Sequence, residues 1–314
     1  MMYIFGMYPK KKLQRYFLAG LCASLLVAFS SVSAEISVTD DLGNRVQLPK
    51  KAERIISLAP HLTEILFEIG AGTRIVGVTE FSNYPDEAKS IRQIGRHDAL
   101  DLEAIVSLKP DIVFAWATGG TYAYLEKITG MGIPVYISEP RKITDIATTI
   151  DRLGVLTGVE PKARLISKHF LSDLENLARK NKGKRKLKVF YQVWNSPLVT
   201  VNGEHIISAV LELCGGENIF DELQVLAPHI SLESVLLKNP DVIIASGQNG
   251  ERPEWLKDWQ KWSDLNAVKD NNIFHIHPDL MHRDTPRLLQ GAEQVCRFLD
   301  KARLNRSLER PTDR

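Results

Sequence analysis

Two stretches of this chain are near copies of each other, set 130 residues apart. LEAIVSLKPDIVFAW runs from Leu102 to Trp116, and LESVLLKNPDVIIAS from Leu232 to Ser246. Each opens on Leu-Glu, carries Pro-Asp at the same place and closes on an apolar run of buried-strand type. A second pair supports the first. ILFEIGAGTRIVG (Ile65–Gly77) parallels VLELCGGENIF (Val210–Phe220), each a short helix stopped by glycine and followed by a β-like run. A repeat of this length implies one supersecondary unit used twice. Such a chain is constrained to two similar lobes.

Between the copies lies PKARLISKHFLSDLENLARKNK, Pro161–Lys182. Proline suits a first helical turn, and Gly183 ends the run. Ala163, Ile166, Phe170, Leu174 and Leu177 recur at three and four, which paints one apolar stripe. At 1.5 Å per residue this helix is roughly 33 Å long. The pattern predicts an α/β fold of two Rossmann-like lobes with parallel sheets, joined by a single long backbone helix. Lobes joined this way leave a cleft, and clefts between domains are preferred ligand sites. A stiff helical joint predicts modest closure on ligand rather than a wide swing.

The expected organisation is a signal peptide at 1–34, an N-terminal lobe at 35–158, the linker helix at 159–183, a C-terminal lobe at 184–302 and a polar tail at 303–314. In the leader, Lys10, Lys11, Lys12 and Arg15 precede the apolar run Phe17–Phe29, and Val32-Ser33-Ala34 supplies small residues for cleavage before Glu35. Cys22 raises the alternative of a lipoprotein, but Leu21 stands where a small residue is wanted. Losing the leader removes four positive charges and takes the formal net charge from +2 to −2. A slightly acidic protein has no electrostatic footprint for nucleic acid.

In the first lobe, strands are expected at Ala52–Leu58, Ile75–Val78, Asp111–Trp116 and Val135–Ser138. Its helices are expected at Leu62–Ile69, Glu103–Leu108, Tyr122–Met131 and Ile143–Thr157. The second lobe repeats the alternation. Strands are expected at Lys188–Val193, Ile219–Phe220, Asp241–Ala245 and Ile273–His277, and helices at Ile206–Leu213, Leu232–Lys238, Trp259–Trp262 and Arg287–Ala302. This alternation points to parallel sheets. The tail beyond Arg303 reads as disordered. Of the three cysteines, Cys214 and Cys296 remain after cleavage, and an even count in an exported chain argues for one disulfide. Two separate buried thiols are the alternative.

No nucleophile elbow, phosphate loop, dinucleotide fingerprint or zinc-protease motif occurs. His275, His277 and Asp279 alternate as strand residues on one face do, but Pro278 interrupts them and no further ligand adjoins. They read better as cleft-facing residues than as a metal site. Glu103 and Glu233 occupy the same place in both copies, behind the N-caps Asp101 and Ser231. If both are exposed on related lobes, they form a two-pronged acidic mark for a symmetric partner. Tyr84, Trp116 and Trp194 stand near predicted strand ends, where they serve as core plugs or as a platform for a bulky ligand.

Five pieces in order, SLAPHLTEIL, SNYP, LDLEAIVSLKPDIVFAW, LELCGGENIF and TPRLL, make the chain resemble the periplasmic substrate-binding proteins whose lobes are joined by one long helix. These deliver cobalamin, haem or ferric siderophores to ABC transporters, and the likeness is greatest to the cobalamin-binding members. The resemblance covers about Arg54 to Leu299. It implies a monomeric binding protein, not an enzyme, with a corrinoid ligand, no cofactor and no metal of its own. It further implies that Glu103 and Glu233 dock onto a dimeric inner-membrane permease, that Cys214 pairs with Cys296, and that Tyr84 and Asp279 touch the corrin. Three positions depart from the family pattern. His97 and Ala227 stand where tryptophans are found, and Val199 stands for a phenylalanine, with Trp194 as a partial replacement. His97 is then an axial metal ligand or a hydrogen-bonding cleft residue.

Overall fold

The computed structural model describes residue 2 and residues 35–96, 98–120, 122–247 and 251–309, with side chains as far as residue 305. The expected leader lies outside the described residues, as does His97.

From Ile36 the described residues open with a hairpin that sequence reasoning missed. β1 (Ile36–Thr39) pairs antiparallel with β2 (Arg45–Leu48). Asp40 closes its turn by accepting from the backbone N–H groups of Leu42 and Asn44 at 3.0 and 2.8 Å. There follow β3 (Ile55–Ser57), α1 (Pro60–Glu68), β4 (Ile75–Val78), the short pair β5 (Gly95–Arg96) and β6 (Ala99–Leu100), α2 (Leu102–Ser107), β7 (Ile112–Trp116), α3 (Tyr122–Gly130), β8 (Val135–Ser138) and α4 (Asp145–Thr157). The backbone helix α5 spans Glu160–Asn181. Beyond it come β9 (Leu187–Gln192), α6 (Ile206–Leu213), β10 (Gly216–Asn218), α7 (Leu232–Lys238), β11 (Val242–Ala245), a 3-10 stretch Glu254–Lys261, α8 (Asn266–Lys269), β12 (Ile273–His275) and α9 (Leu288–Glu309).

The repeat becomes two parallel four-stranded sheets of the same strand order. One runs β4-β3-β7-β8 and the other β10-β9-β11-β12. Ile112 pairs with Ile55, and its counterpart Val242 pairs with Val189. The repeated Pro-Asp has the same task in both. Asp111 accepts from the backbone N–H of Glu53 and Arg54 at 2.8 and 2.9 Å, and Asp241 from that of Lys188 at 3.1 Å. Each aspartate satisfies donors where the neighbouring strand starts, which sets the register of the central pair. The helices before β7 and β11 are capped as expected, Asp101 accepting from Ala104 and Ser231 from Ser234.

The stripe on α5 is buried at Ala163, Phe170, Leu174 and Leu177, with Ile166 partly so. Burying each large side chain contributes about 1.5–3 kcal/mol. The helix packs on α4 of the first lobe and on α6 and α9 of the second. The contact with α4 is close because Gly154 faces Ala163; a Cβ there would lie 2.4 Å from that methyl.

Three expectations shift. The strand placed at Ile219–Phe220 is instead Gly216–Asn218, because Gly215 turns the chain at φ +74 and strand pairing with β9 begins at once. Ile219 and Phe220 are core residues packed under the sheet. The Trp259–Trp262 segment belongs to a 3-10 stretch that opens behind Pro253. Beyond Arg303 the described residues stay helical, α9 continuing to Glu309, where the tail was expected to be disordered. Arg303 donates to the carbonyls of Arg185, Cys214 and Gly215, and Asn305 to that of Asp270, so polar side chains anchor what hydrophobicity does not.

Candidate functional site in the inter-lobe cleft

In both sheets the strand order reverses direction at the central pair, and open α/β sheets bind ligands where those strands end. A cavity of about 200 Å³ lies there between the lobes. The first lobe lines it with Trp116, at the end of β7, and with Glu139, Pro140 and Arg141, which follow β8. The second lobe supplies Val193, Val201, His205, Ile206, Ile207, Leu226 and Ala227, and the segment before α9 adds His282 and Asp284. Arg141 also borders a second groove of about 570 Å³ that continues past Lys142, Lys186 and Asp221. Ligand pockets run to roughly 300–1,000 Å³, so the two spaces together suit a large ligand better than the first alone.

The polar groups of the cavity are held differently. Glu139 is engaged: it pairs with Arg141 at 3.0 Å and accepts from the backbone N–H and the hydroxyl of Thr118 at 3.0 and 3.1 Å. Its own backbone N–H donates to Asp41 in the missed hairpin. Burial holds His205 and His282 down near about 4, and His61 near about 3. His61 sits edge-on to Trp116 with ring centroids 5.5 Å apart, fixing that indole from behind. Asp284 is buried, and desolvation first, then the charge of Glu139, pushes its carboxyl up to about 7 against the pull of Arg141.

Beside the cavity, one ion-pair cluster ties the lobes together. Arg283 donates to Glu64 of α1 at 2.5 Å, to Asn83 at 2.9 Å and to the Phe81 carbonyl at 3.2 Å, and it pairs with Asp279 at 3.0 Å. Arg287 reaches the same Glu64 oxygen at 3.1 Å and lies over the Tyr84 ring, 4.0 Å from its centroid. Glu64 and Arg283 are both buried, and the Glu64 carboxyl is raised, desolvation and the nearby Asp279 charge together outweighing the two arginines. Three of the stretches that carry the family resemblance, SLAPHLTEIL, SNYP and TPRLL, meet in this latch.

Of the residues picked out from the sequence, Trp116 lines the cavity. Ala227 does too, leaving aliphatic space where a ring would stand. Tyr84 and Asp279 belong to the latch. Trp194 and Val199 pair with each other across an antiparallel bridge, and the Trp194 indole donates to the Ser196 carbonyl at 3.0 Å; neither lines the cavity. Glu103 and Glu233 are exposed in the first turns of α2 and α7, and neither makes an ion pair with a described residue. Cys214 and Cys296 form a disulfide. His275, His277 and Asp279 do not converge. His275 bonds the Ser246 carbonyl, His277 caps the turn at Asp279, and Asp279 pairs with Arg283. Glu64, Arg283, Asp284 and Arg141 escaped sequence reasoning, although three of them lie within or next to recognised motifs.

The periplasmic binding protein family matches residues 55–280. The chain is 35% identical over 251 residues to the vitamin B12-binding protein of Vibrio cholerae serotype O1, covering 80% of this chain and 90% of that one. The vitamin B12-binding protein of Yersinia pestis is 31% identical over 245 residues, 78% of this chain and 85% of that one. The crystal structure of the periplasmic vitamin B12 binding protein BtuF of Vibrio cholerae matches the fold with a TM-score of 0.75 at 34% identity, over 80% of this chain and 98% of that one. With its paired parallel sheets, its backbone helix and a cleft built where the strand order reverses, this chain belongs to the periplasmic binding protein family.

Proposed function

We propose that the chain captures cobalamin or a related corrinoid in the inter-lobe cleft and delivers it to an inner-membrane ABC importer. The observation that carries this reading is the 35% identity, over four-fifths of the chain, to a protein named for vitamin B12 binding. The cavity is consistent with it. An indole and a proline face a wall of valine, isoleucine and leucine, which suits a large, partly apolar ring system. Polar groups at one end meet the ring's substituents. The corrinoid is larger than the 200 Å³ cavity, so it extends into the groove past Arg141 or parts the lobes at the latch.

Tyr84, His97, Trp116, Trp194, Val199 and Asp279 remain the proposed ligand-binding residues. Trp116 has the most direct geometric support, and Tyr84 and Asp279 act through the latch. Glu103 and Glu233 are the proposed contacts to a dimeric permease; their exposure in equivalent first turns supports the pairing. The working form is a monomer in the periplasm, freed of its leader near Ala34.

Isothermal titration of the mature protein with cyanocobalamin, a ferric hydroxamate and haem tests this reading. Saturable one-to-one binding of cyanocobalamin alone is expected. Silence with cyanocobalamin alongside binding of either iron ligand overturns the corrinoid assignment.

A further inference from the structure

Around the cleft, three of the four buried or half-buried carboxylates are matched. Glu64 and Asp279 meet Arg283, and Glu139 meets Arg141 and Thr118. Asp284 is the exception. It is 7% exposed and lines the cavity, yet its side chain makes no hydrogen bond and no ion pair with any described residue. Buried polar groups are almost always partnered by protein or water, so one left open onto a cavity is placed to bond whatever enters it.

We infer that Asp284 determines specificity by hydrogen-bonding an uncharged amide on the rim of the bound ligand and by excluding ligands that bring a carboxylate to the same place. This rests on the proposed corrinoid reading and deepens it. A corrin carries primary amides around its rim, whereas a porphyrin such as haem carries propionates. A primary amide both donates and accepts, so it pairs with Asp284 in either protonation state. A ligand carboxylate pairs only with the protonated acid; once Asp284 ionises, two like charges meet in a desolvated site. The groups facing Asp284 relieve that repulsion only in part. Arg141 pulls against it but also pairs with Glu139, which adds negative charge of its own, and burial keeps His205 and His282 neutral, so the Asp284 carboxyl stays raised. The neighbouring Arg283 is directed to Glu64.

The test is titration of the mature protein, at pH 6 and pH 8, with cyanocobalamin and with its singly hydrolysed derivatives, each having one rim amide converted to a carboxylate. At pH 8 at least one derivative should bind tenfold or more weakly than the parent. At pH 6 that penalty should shrink below about threefold. In Asp284→Asn the pH 8 penalty should fall to within about twofold of that variant's own cyanocobalamin affinity. The pH arm on unaltered protein stands on its own if Asp284→Asn fails to fold. Cyanocobalamin binding with no discrimination among the derivatives, or with a penalty unchanged by pH or by Asp284→Asn, overturns the role of Asp284 and leaves the corrinoid reading intact. No cyanocobalamin binding at either pH overturns both.

Discussion

The two lobes present unlike walls to the cleft they share. From the first come an indole, a proline and the Glu139–Arg141 pair; from the second come chiefly valine, isoleucine and leucine side chains. They are also locked in unlike ways. A disulfide joins the end of α6 to α9 in the second lobe. Residues 35–158 contain no cysteine, and this lobe is held to the segment before α9 by buried and partly buried ions, Glu64 against Arg283 and Arg287. Strand order, helix caps and the Pro-Asp device were duplicated; the chemistry was not. A repeated scaffold sets where strand ends lie, and each copy is free to dress those ends for one side of an asymmetric ligand.

The contrast can be attacked first at the covalent lock. Replacing Cys214 and Cys296 with alanine opens a loop of 82 residues' separation, which the chain-entropy treatment puts at roughly 4–5 kcal/mol. Urea unfolding should show that loss, and a change below about 1 kcal/mol would mean that the second lobe does not depend on its staple. The ionic lock comes next. Arg283→Met leaves Glu64 with Arg287 alone and takes the ion-pair partner from Asp279, and should cost about 3 kcal/mol. Glu64→Leu combined with Arg283→Met should recover most of it, because the penalty lies in the unpaired charge rather than in the lost pair. No recovery in the double variant would show that Asn83 and the Phe81 carbonyl carry the interaction instead.

The pH dependence sharpens the comparison further. The Asp284 carboxyl is raised from its ordinary 3.8 to about 7, so the folded state holds a proton there that the unfolded chain has released. Stability should therefore fall as pH rises from about 4 to about 7. Asp284→Asn should gain about 2–3 kcal/mol at pH 8, within a ceiling of about 4 kcal/mol set by that span. The buried histidines have the opposite sign. His61, lowered to about 3, and His205 and His282, lowered to about 4, destabilise the fold as pH falls from 6.5. Melting temperatures across pH 4–9 should drop on the acid side in all variants, and between about pH 7 and pH 4 they should drop more steeply in Asp284→Asn, where the opposing contribution of the buried carboxyl is gone. The smallest effect on folding belongs to the exposed pair. Glu103→Arg and Glu233→Arg should each change stability by less than about 0.5 kcal/mol and leave ligand affinity alone, while reducing uptake through the importer. Unimpaired uptake in the double reversal would remove the docking role.

Local signals were legible to the residue. Helices Ile206–Leu213 and Leu232–Lys238 and strands Ile75–Val78 and Val135–Ser138 lie where periodicity placed them, and Asp101 and Ser231 cap as their spacing requires. Edges without a strong stop slipped. Ile219 and Phe220 read as a strand because apolar β-formers look alike whether they pair or plug, and the tail read as loose because its anchors are polar. Residues near strand ends were harder to place. Trp194 and Val199 are β-formers whose backbones pair with each other across a bridge, which the sequence pattern did not show.

The sequence by itself determined the two-lobed repeat, the backbone helix and the cysteine pair. Those depend on patterns that recur within the chain or on which few residues of a type are present. Only the tertiary structure decided the site. Glu64 and Arg283 are 219 residues apart, and nothing in either neighbourhood names the other. Asp284 looks like any surface aspartate until packing removes most of its exposure and leaves it facing a cavity with no hydrogen bond to a described residue. Burial and electrostatic pairing depend on distances in space, and the chain reveals those only when it is folded.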